Sequence, residues 1–312
     1  MGINPKAAAI IESMAGAFPT PTDEMSADEL RHLVHAASDG VIERTPEPLL
    51  AVDDRAVAGP LGPVPIRVYR PEEAPATGAP ALVFMHGGGF VLCDLDSHDD
   101  ICRALANAGA CVVVAVDYRR APEHPYPTPL EDCYAVLEWV AASAGELGVD
   151  ADRLGVFGDS AGGGLAAALA LLARDRSGPT LALQILVYPM LDTRCDTPSH
   201  TGTGEGYFLK TEEVQWYWKR YLGDADPTDP YVSPSHATDL TRLPPALVVT
   251  AENDPLRDEG EAYGEALKAA GVDVTVSRYD GTFHSFLSFL TVLDEAVEAR
   301  DEIGAAVRKA LA

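Results

Sequence analysis

Positive charge is what this sequence has least of. Lysine and arginine number 23 against 48 aspartates and glutamates, a formal net charge of −25 with a pI near 4.5. A surface of that sign repels phosphate backbones, so nucleic acid is excluded as a partner. The acidity speaks for solubility and is compatible with salt tolerance. Cysteine is also scarce. The five present (Cys93, Cys102, Cys111, Cys133, Cys195) are scattered, odd in number and never spaced as C-x-x-C. Several sit in apolar runs and read as buried free thiols of a reducing compartment. No H-E-x-x-H or paired-cysteine pattern supports a metal site, and no G-K-[ST] follows a glycine cluster to make a P-loop. Neither a metal nor any other cofactor is expected. Long apolar runs are missing too: "CVVVAV" and "LAAALALLA" are too short to span a bilayer. The N-terminus, "MGINPKAAAIIESMAGAF", has one lysine and no long apolar core, a poor signal peptide, and Lys6 breaks the myristoylation pattern. The expectation is a cytoplasmic protein with no membrane partner.

What is present suits a globule. A hydrophobic fraction of 47% and a charged fraction of 23% are ordinary for a soluble chain with a sizeable core. Residues 5 to 40 read as helical, with an acidic first turn at Ser26-Ala27-Asp28-Glu29. Strand patterns follow at 64–70 and 81–85. "CVVVAVD", "RLGVFG", "LALQILVYP", "PALVVTAE" and "DVTVSRY" then alternate with helical stretches, and a long helix closes the chain. Apolar strands separated by helices predict an α/β protein: a mostly parallel central sheet flanked by helices. Residues 192–235, rich in Thr, Gly, Tyr and Trp and holding "TEEVQWYWKRYL", interrupt the alternation. The expectation is a single domain over 1–312, with a helical cap made by about 1–45 and this insertion.

Two glycine clusters carry the chemistry. In "FGDSAGGG", Gly158-Asp159-Ser160-Ala161-Gly162 fits G-x-S-x-G between a strand and a helix, the setting of a nucleophile elbow. A formal G-x-G-x-x-A match over 162–167 begins inside the helix, not at the strand end, and is discounted. A nucleophilic serine needs an acid and then a histidine, in that chain order, each just after a strand. His200 falls inside the insertion, and His236 in "SPSHATDL" reads as a solvated loop residue. His284 follows the last strand, and Asp254 follows "PALVVTAE". The stretch from Asn253 to Glu259 reads equally as a helix start, with Asp254 as N-cap and Asp258 and Glu259 complementing the helix dipole. The other cluster, His86-Gly87-Gly88-Gly89, ends the third strand, where an HGGG loop supplies half of an oxyanion hole. Ala161 N–H, after the nucleophile, supplies the rest. His86 reads as a structural hydrogen-bonder rather than a base.

With "HGGGF", "DYRRAPEHPYPTPLEDC", "GDSAGG", "LPPALVVTAENDPLRDEG" and "FHSF" in order across residues 60–290, the chain resembles the hormone-sensitive-lipase-like esterases of the α/β-hydrolase superfamily. The resemblance implies a metal-free serine carboxylesterase acting through an acyl-enzyme, and the aromatic-rich cap segment ("GYF", "WYW"), enclosing a limited apolar volume, predicts short- to medium-chain acyl esters. The resemblance maps the catalytic triad to Ser160, Asp254 and His284, and the oxyanion hole to Gly88, Gly89 and Ala161. The partner it implies is a small-molecule ester, and a homodimer is left open. Arg120 stands where the family usually has leucine, Gly164 where asparagine is common, and Ser285 where glycine follows the histidine. Ser285 and Cys93 are placed on the pocket rim. Two other readings use the same residues. A non-catalytic binding module, as gibberellin receptors are, would lack a working triad, and the intact Ser160, Asp254 and His284 argue against it. An amidase or deacetylase of a small metabolite would use the same triad, and sequence does not separate it from an esterase.

Overall fold

The computed structural model describes residues 2–16, 18, 20–41, 45–202 and 207–312. Helices α1 (Pro5–Met14) and α2 (Ala27–Val41) come first. Ser26 caps the second, its Oγ accepting the Glu29 N–H at 3.2 Å. The edge hairpin β1 (Ala51–Gly59) and β2 (Gly62–Arg70) follows, then β3 (Ala79–Met85), α3 (Asp99–Gly109) and β4 (Val112–Val116). The chain continues through α4 (Thr128–Ala142), α5 (Ala144–Leu147), β5 (Val149–Asp159), α6 (Ala161–Asp175) and β6 (Leu183–Val187). It then forms α7 (Pro198–Gly202), α8 (Thr211–Leu222), β7 (Ala246–Asn253), α9 (Arg257–Ala269), β8 (Val274–Phe283) and α10 (Asp294–Ala310).

The eight strands form one sheet in the order β1-β2-β4-β3-β5-β6-β7-β8. Only β2 runs against the rest, pairing antiparallel with both β1 and β4. β3, β4 and β6 are buried at every position, as strands covered on both faces must be. Their side chains divide by parity. Val83 and Met85 meet α4, α6 and α9 on one face; Leu82 and Phe84 meet α3 and α10 on the other. α1 joins the second layer through Ala7, Ile10 and Met14. Leu30 of α2 packs with Trp216 of α8, Val91 and Leu92 in a third cluster.

Four elements escape the sequence reading: the short helices α5 and α7, and β1 and α3. β1 has a mostly half-exposed or exposed pattern that hides its pairing with β2. α3 starts on Asp99 and Asp100 directly after the glycine loop and ends on Ala110 in the left-handed conformation. The remaining strands and helices fall where the periodicity puts them. Of the two segments expected to cap the sheet, residues 1, 17, 19, 42–44 and 203–206 lie outside the described residues. Among the described residues, no helix is long and apolar enough to cross a membrane.

Candidate active site

β3, β5, β7 and β8 run parallel in the sheet, with β6 between β5 and β7, so their C-terminal ends open on one side. Ligand sites of open α/β sheets form there. Ser160 stands between β5 and α6 with φ 55° and ψ −121°, a conformation that costs a non-glycine residue of the order of 1–3 kcal/mol. Backbone bonds hold it: Ser160 N–H donates to Val187 O at 2.8 Å, and Met190 N–H donates to Ser160 O at 3.0 Å. The turn closes only because position 162 lacks a side chain, since a Cβ there would lie 2.0 Å from Met85 O.

His284 follows β8 and reaches Ser160 Oγ with Nε2 at 2.9 Å. Its Nδ1 lies 2.7 Å from Asp254 Oδ2, so Nδ1–H donates to the carboxylate and Nε2 is left to accept from the serine. Asp254 is fully buried, and its Oδ1 accepts the Leu256 N–H at 2.9 Å. The N-cap reading of Asp254 does not hold, since Leu256 occupies that position without a side-chain cap; one Asp254 oxygen instead steadies the turn before α9, and the other holds a histidine. The ring of Tyr188 packs on His284 with centroids 4.8 Å apart.

The HGGG loop lies opposite. Gly88 and Gly89 adopt φ of 107° and 61°, and among the described residues their N–H groups donate to no protein acceptor. A Cβ on Gly89 would strike the Tyr217 ring at 2.2 Å. Ala161 opens α6, where the N–H has no intrahelical partner. His86 stacks on Tyr118 at 4.3 Å, and its Nδ1 is 2.7 Å from Gly87 O. Burial first, then the neighbouring His98, pushes its pKa down to about 3, so it stays neutral and structural. Ser160, His284, Gly88 and Gly89 share a cavity of about 180 Å³ with Met14, Phe18, Val34, Glu213, Val214 and Tyr217.

A family model described as the alpha/beta hydrolase fold matches residues 82–288. This chain belongs to that family, in its hormone-sensitive-lipase-like branch. Among its relatives, the carboxylic ester hydrolase LipN of Mycobacterium tuberculosis is 42% identical over 277 residues, covering 86% of this chain and 73% of that one. The ethyl acetate hydrolase of Pseudomonas putida is 36% identical over 305 residues, 96% of each chain. The solved structure of a hyperthermophilic esterase from the archaeon Pyrobaculum calidifontis superposes with a TM-score of 0.94, at 40% identity and 100% coverage of both chains.

The departures from the hormone-sensitive-lipase-like pattern have local reasons. Ser285 has φ 68°, the conformation in which glycine is the cheap residue. A Cβ at Gly164 would meet Met190 O at 2.2 Å. Arg120 donates from Nη1 to Cys93 O, holding the segment that follows the glycines. Cys93 lines the cavity, and burial pushes its thiol up to about 12.

Two further expectations need correction. His236 is not simply solvated: its Nε2 lies 3.3 Å from Asp192 Oδ1. Glu259 does not serve the α9 dipole from the surface. It is 3% exposed, and it binds His200 Nε2 at 3.1 Å and Leu191 N–H at 2.6 Å. Burial raises its carboxyl above the ordinary range despite the histidine and amide partners.

Other site residues were missed altogether. Asp159 sits within the elbow motif itself, the one signal that could have found it. Its Oδ1 accepts Gly87 N–H at 2.9 Å and lies 3.5 Å from His98 Nε2. Burial works to raise its carboxyl, but His98, His86 and that amide outweigh burial and hold it below the usual value. It thereby ties the HGGG loop to the residue before Ser160. Arg31 of α2 clasps the same loop, Nε donating to Val91 O at 2.8 Å and Nη2 to Ala121 O at 2.9 Å. No sequence motif announces it.

Proposed function

We propose that Ser160 is the nucleophile, His284 the general base and acid, and Asp254 the orienting carboxylate of this enzyme, with Gly88, Gly89 and Ala161 N–H forming its oxyanion hole. The protein is a carboxylic ester hydrolase. The observation that carries the residue assignment is the unbroken Ser160–His284–Asp254 relay, at 2.9 and 2.7 Å, on the wall of a cavity. His284 Nε2 takes the Ser160 proton as Oγ attacks the ester carbonyl. The carbonyl oxygen becomes an anion facing the amides of Gly88 and Gly89 and that of Ala161 at the start of α6, where the helix N-terminus also favours negative charge. His284 returns the proton to the departing alcohol. Water, deprotonated by the same nitrogen, then attacks the acyl-enzyme and releases the acid as His284 passes that proton to the departing Ser160 Oγ. Asp254 stabilises the imidazolium formed in each half-reaction.

Short- to medium-chain acyl esters are the substrates this cavity fits. α1, α2 and α8 cover it and act as its cap, and the small volume limits the acyl group. Each buried methylene adds about 0.8 kcal/mol only until the space is filled. The ethyl acetate hydrolase among the relatives points the same way. The unpaired cysteines suit a reducing, cytoplasmic setting. The deciding test is labelling with an alkyl 4-nitrophenyl phosphonate. One adduct per chain, on Ser160 and absent from Ser160→Ala, is expected; an adduct elsewhere, or none, overturns the assignment. Across an acyl series, turnover should peak at short or medium length. A rate that climbs into long chains, with activation at an oil interface, would defeat the size argument.

A further inference from the structure

Glu213 is the one carboxylate among the described cavity-lining residues that the loop scaffold does not use. Asp159, the other acidic liner, is engaged by Gly87 N–H and His98. Glu213 hangs from α8 one turn before Tyr217, the residue whose ring abuts Gly89. Its Oε2 accepts Lys210 N–H at 2.8 Å, while Oε1 has no protein donor among the described residues. The nearest ammonium does not neutralise it by contact, since Lys210 Nζ is turned to Glu212 at 3.6 Å. The cavity it lines has apolar and aromatic walls: Phe18 and Phe208, edge to face at 5.6 Å, with Val214 and Tyr217. Burial raises the carboxyl above its ordinary value, and Lys210 and His284 partly offset this.

A carboxylate oxygen without a donor, set among aromatic faces, is the chemistry that takes an ammonium group. Ring faces attract cations, and a half-buried counter-charge is less screened than one at the surface. We propose that Glu213 is a specificity-determining residue that selects esters bearing a cationic ammonium group on the part of the substrate under α8. The proposal rests on the esterase reading of the cavity. It adds a charge preference to a pocket otherwise defined by size.

The test uses substrates that differ in charge but not shape. Acetylcholine and 3,3-dimethylbutyl acetate form such a pair on the alcohol side. The 4-nitrophenyl esters of 4-(trimethylammonio)butanoate and 5,5-dimethylhexanoate form one on the acyl side. In at least one pair the wild type should favour the cation, and Glu213→Gln should reduce the cation-to-neutral ratio of kcat/KM about tenfold. The amide keeps an acceptor for Lys210 N–H, and turnover of the neutral esters reports a folded enzyme. A second measurement needs no variant: choline should inhibit the wild type at lower concentration than 3,3-dimethylbutan-1-ol. Neutral esters turned over with the same ratios in both proteins, or choline the weaker inhibitor, would overturn the Glu213 proposal alone. Failure to turn over any neutral ester would instead overturn the esterase reading.

Discussion

Asp254 and Glu259 lie five residues apart on the connection from β7 into α9, and each holds a buried histidine. The two arrangements are alike in detail. Each carboxylate spends one oxygen on a backbone N–H, of Leu256 or Leu191, and the other on an imidazole, of His284 or His200. The difference lies beyond the imidazole. His284 presents its free nitrogen to Ser160 Oγ at 2.9 Å, at a cavity wall. His200 presents Nδ1 to Thr211 Oγ1 at 3.3 Å, but that hydroxyl donates its proton to His200 O at 2.7 Å. A carboxylate–histidine pair is therefore no mark of catalysis. What matters is whether the third group has a proton to give and a place for substrate beside it.

The largest effect that would test this contrast is on turnover. In Asp254→Asn the side-chain oxygen can keep the Leu256 N–H, which turns the amide NH₂ toward His284 Nδ1. That fixes the tautomer with the proton on Nε2, unable to accept from Ser160. kcat on an activated ester should fall by up to about ten-thousandfold, with the fold retained. Glu259→Gln, the same chemical change on the other pair, should leave kcat within a fewfold. So should Asp258→Asn, although Asp258 Oδ2 accepts Ser199 N–H at 2.8 Å. Equal losses in Asp254→Asn and Glu259→Gln would erase the distinction.

Stability should rank the pairs the other way. His200→Ala leaves Glu259 buried without its imidazole and should cost about 3 kcal/mol in thermal or urea unfolding. Activity of the folded fraction should persist. An unchanged melt would mean that the His200 pair holds nothing together.

His86, a buried histidine with no carboxylate partner, sharpens the comparison through pH. Its folded pKa of about 3 lies below the ordinary 6.5, so the unfolded chain takes up a proton first as pH falls. Stability from this group is complete above pH 6.5 and is lost progressively as pH drops toward 3. Between pH 6.5 and 5 it removes about 2 kcal/mol. Unfolding of His86→Asn, whose amide can still donate to Gly87 O, should lack that part of the slope. Identical slopes in both proteins would refute it.

The smallest effect concerns Ser285, whose strained backbone sets the turn beside His284. Ser285→Gly removes the left-handed penalty but loosens the unfolded chain. The net change should be a gain of less than about 1 kcal/mol in unfolding free energy. A clear loss would show that the hydroxyl, not the backbone, is what the position needs.

Much of this was legible in the chain. The inner parallel strands announced themselves as apolar runs, because a strand buried on both faces has no polar alternation, whereas the edge strand β8 showed itself by alternation. Once the strands were placed, crossover connections put the residues following β3, β5, β7 and β8 at one end of the sheet. The juxtaposition of His86, Ser160, Asp254 and His284 follows from order alone. β1 was illegible because an edge strand with exposed positions looks like any polar segment. Glu259 was misread because acidic residues in a first helical turn are ordinarily solvated.

The sequence by itself determined the sheet, its mostly parallel sense and the side on which its chemistry gathers, since these depend on periodicity and on glycine where backbones must touch. It could not determine what stands across the cavity. The partners of Asp159, Arg31 and Glu259 lie 72, 60 and 59 residues away, and Glu213, bonded among the described residues only to nearby Lys210 N–H, lines the cavity because α8 lies over Gly89. Those relations come from packing between elements distant in the chain, where side-chain direction and burial, rather than local pattern, decide which carboxylate orients a histidine, which holds a loop and which is left facing the substrate.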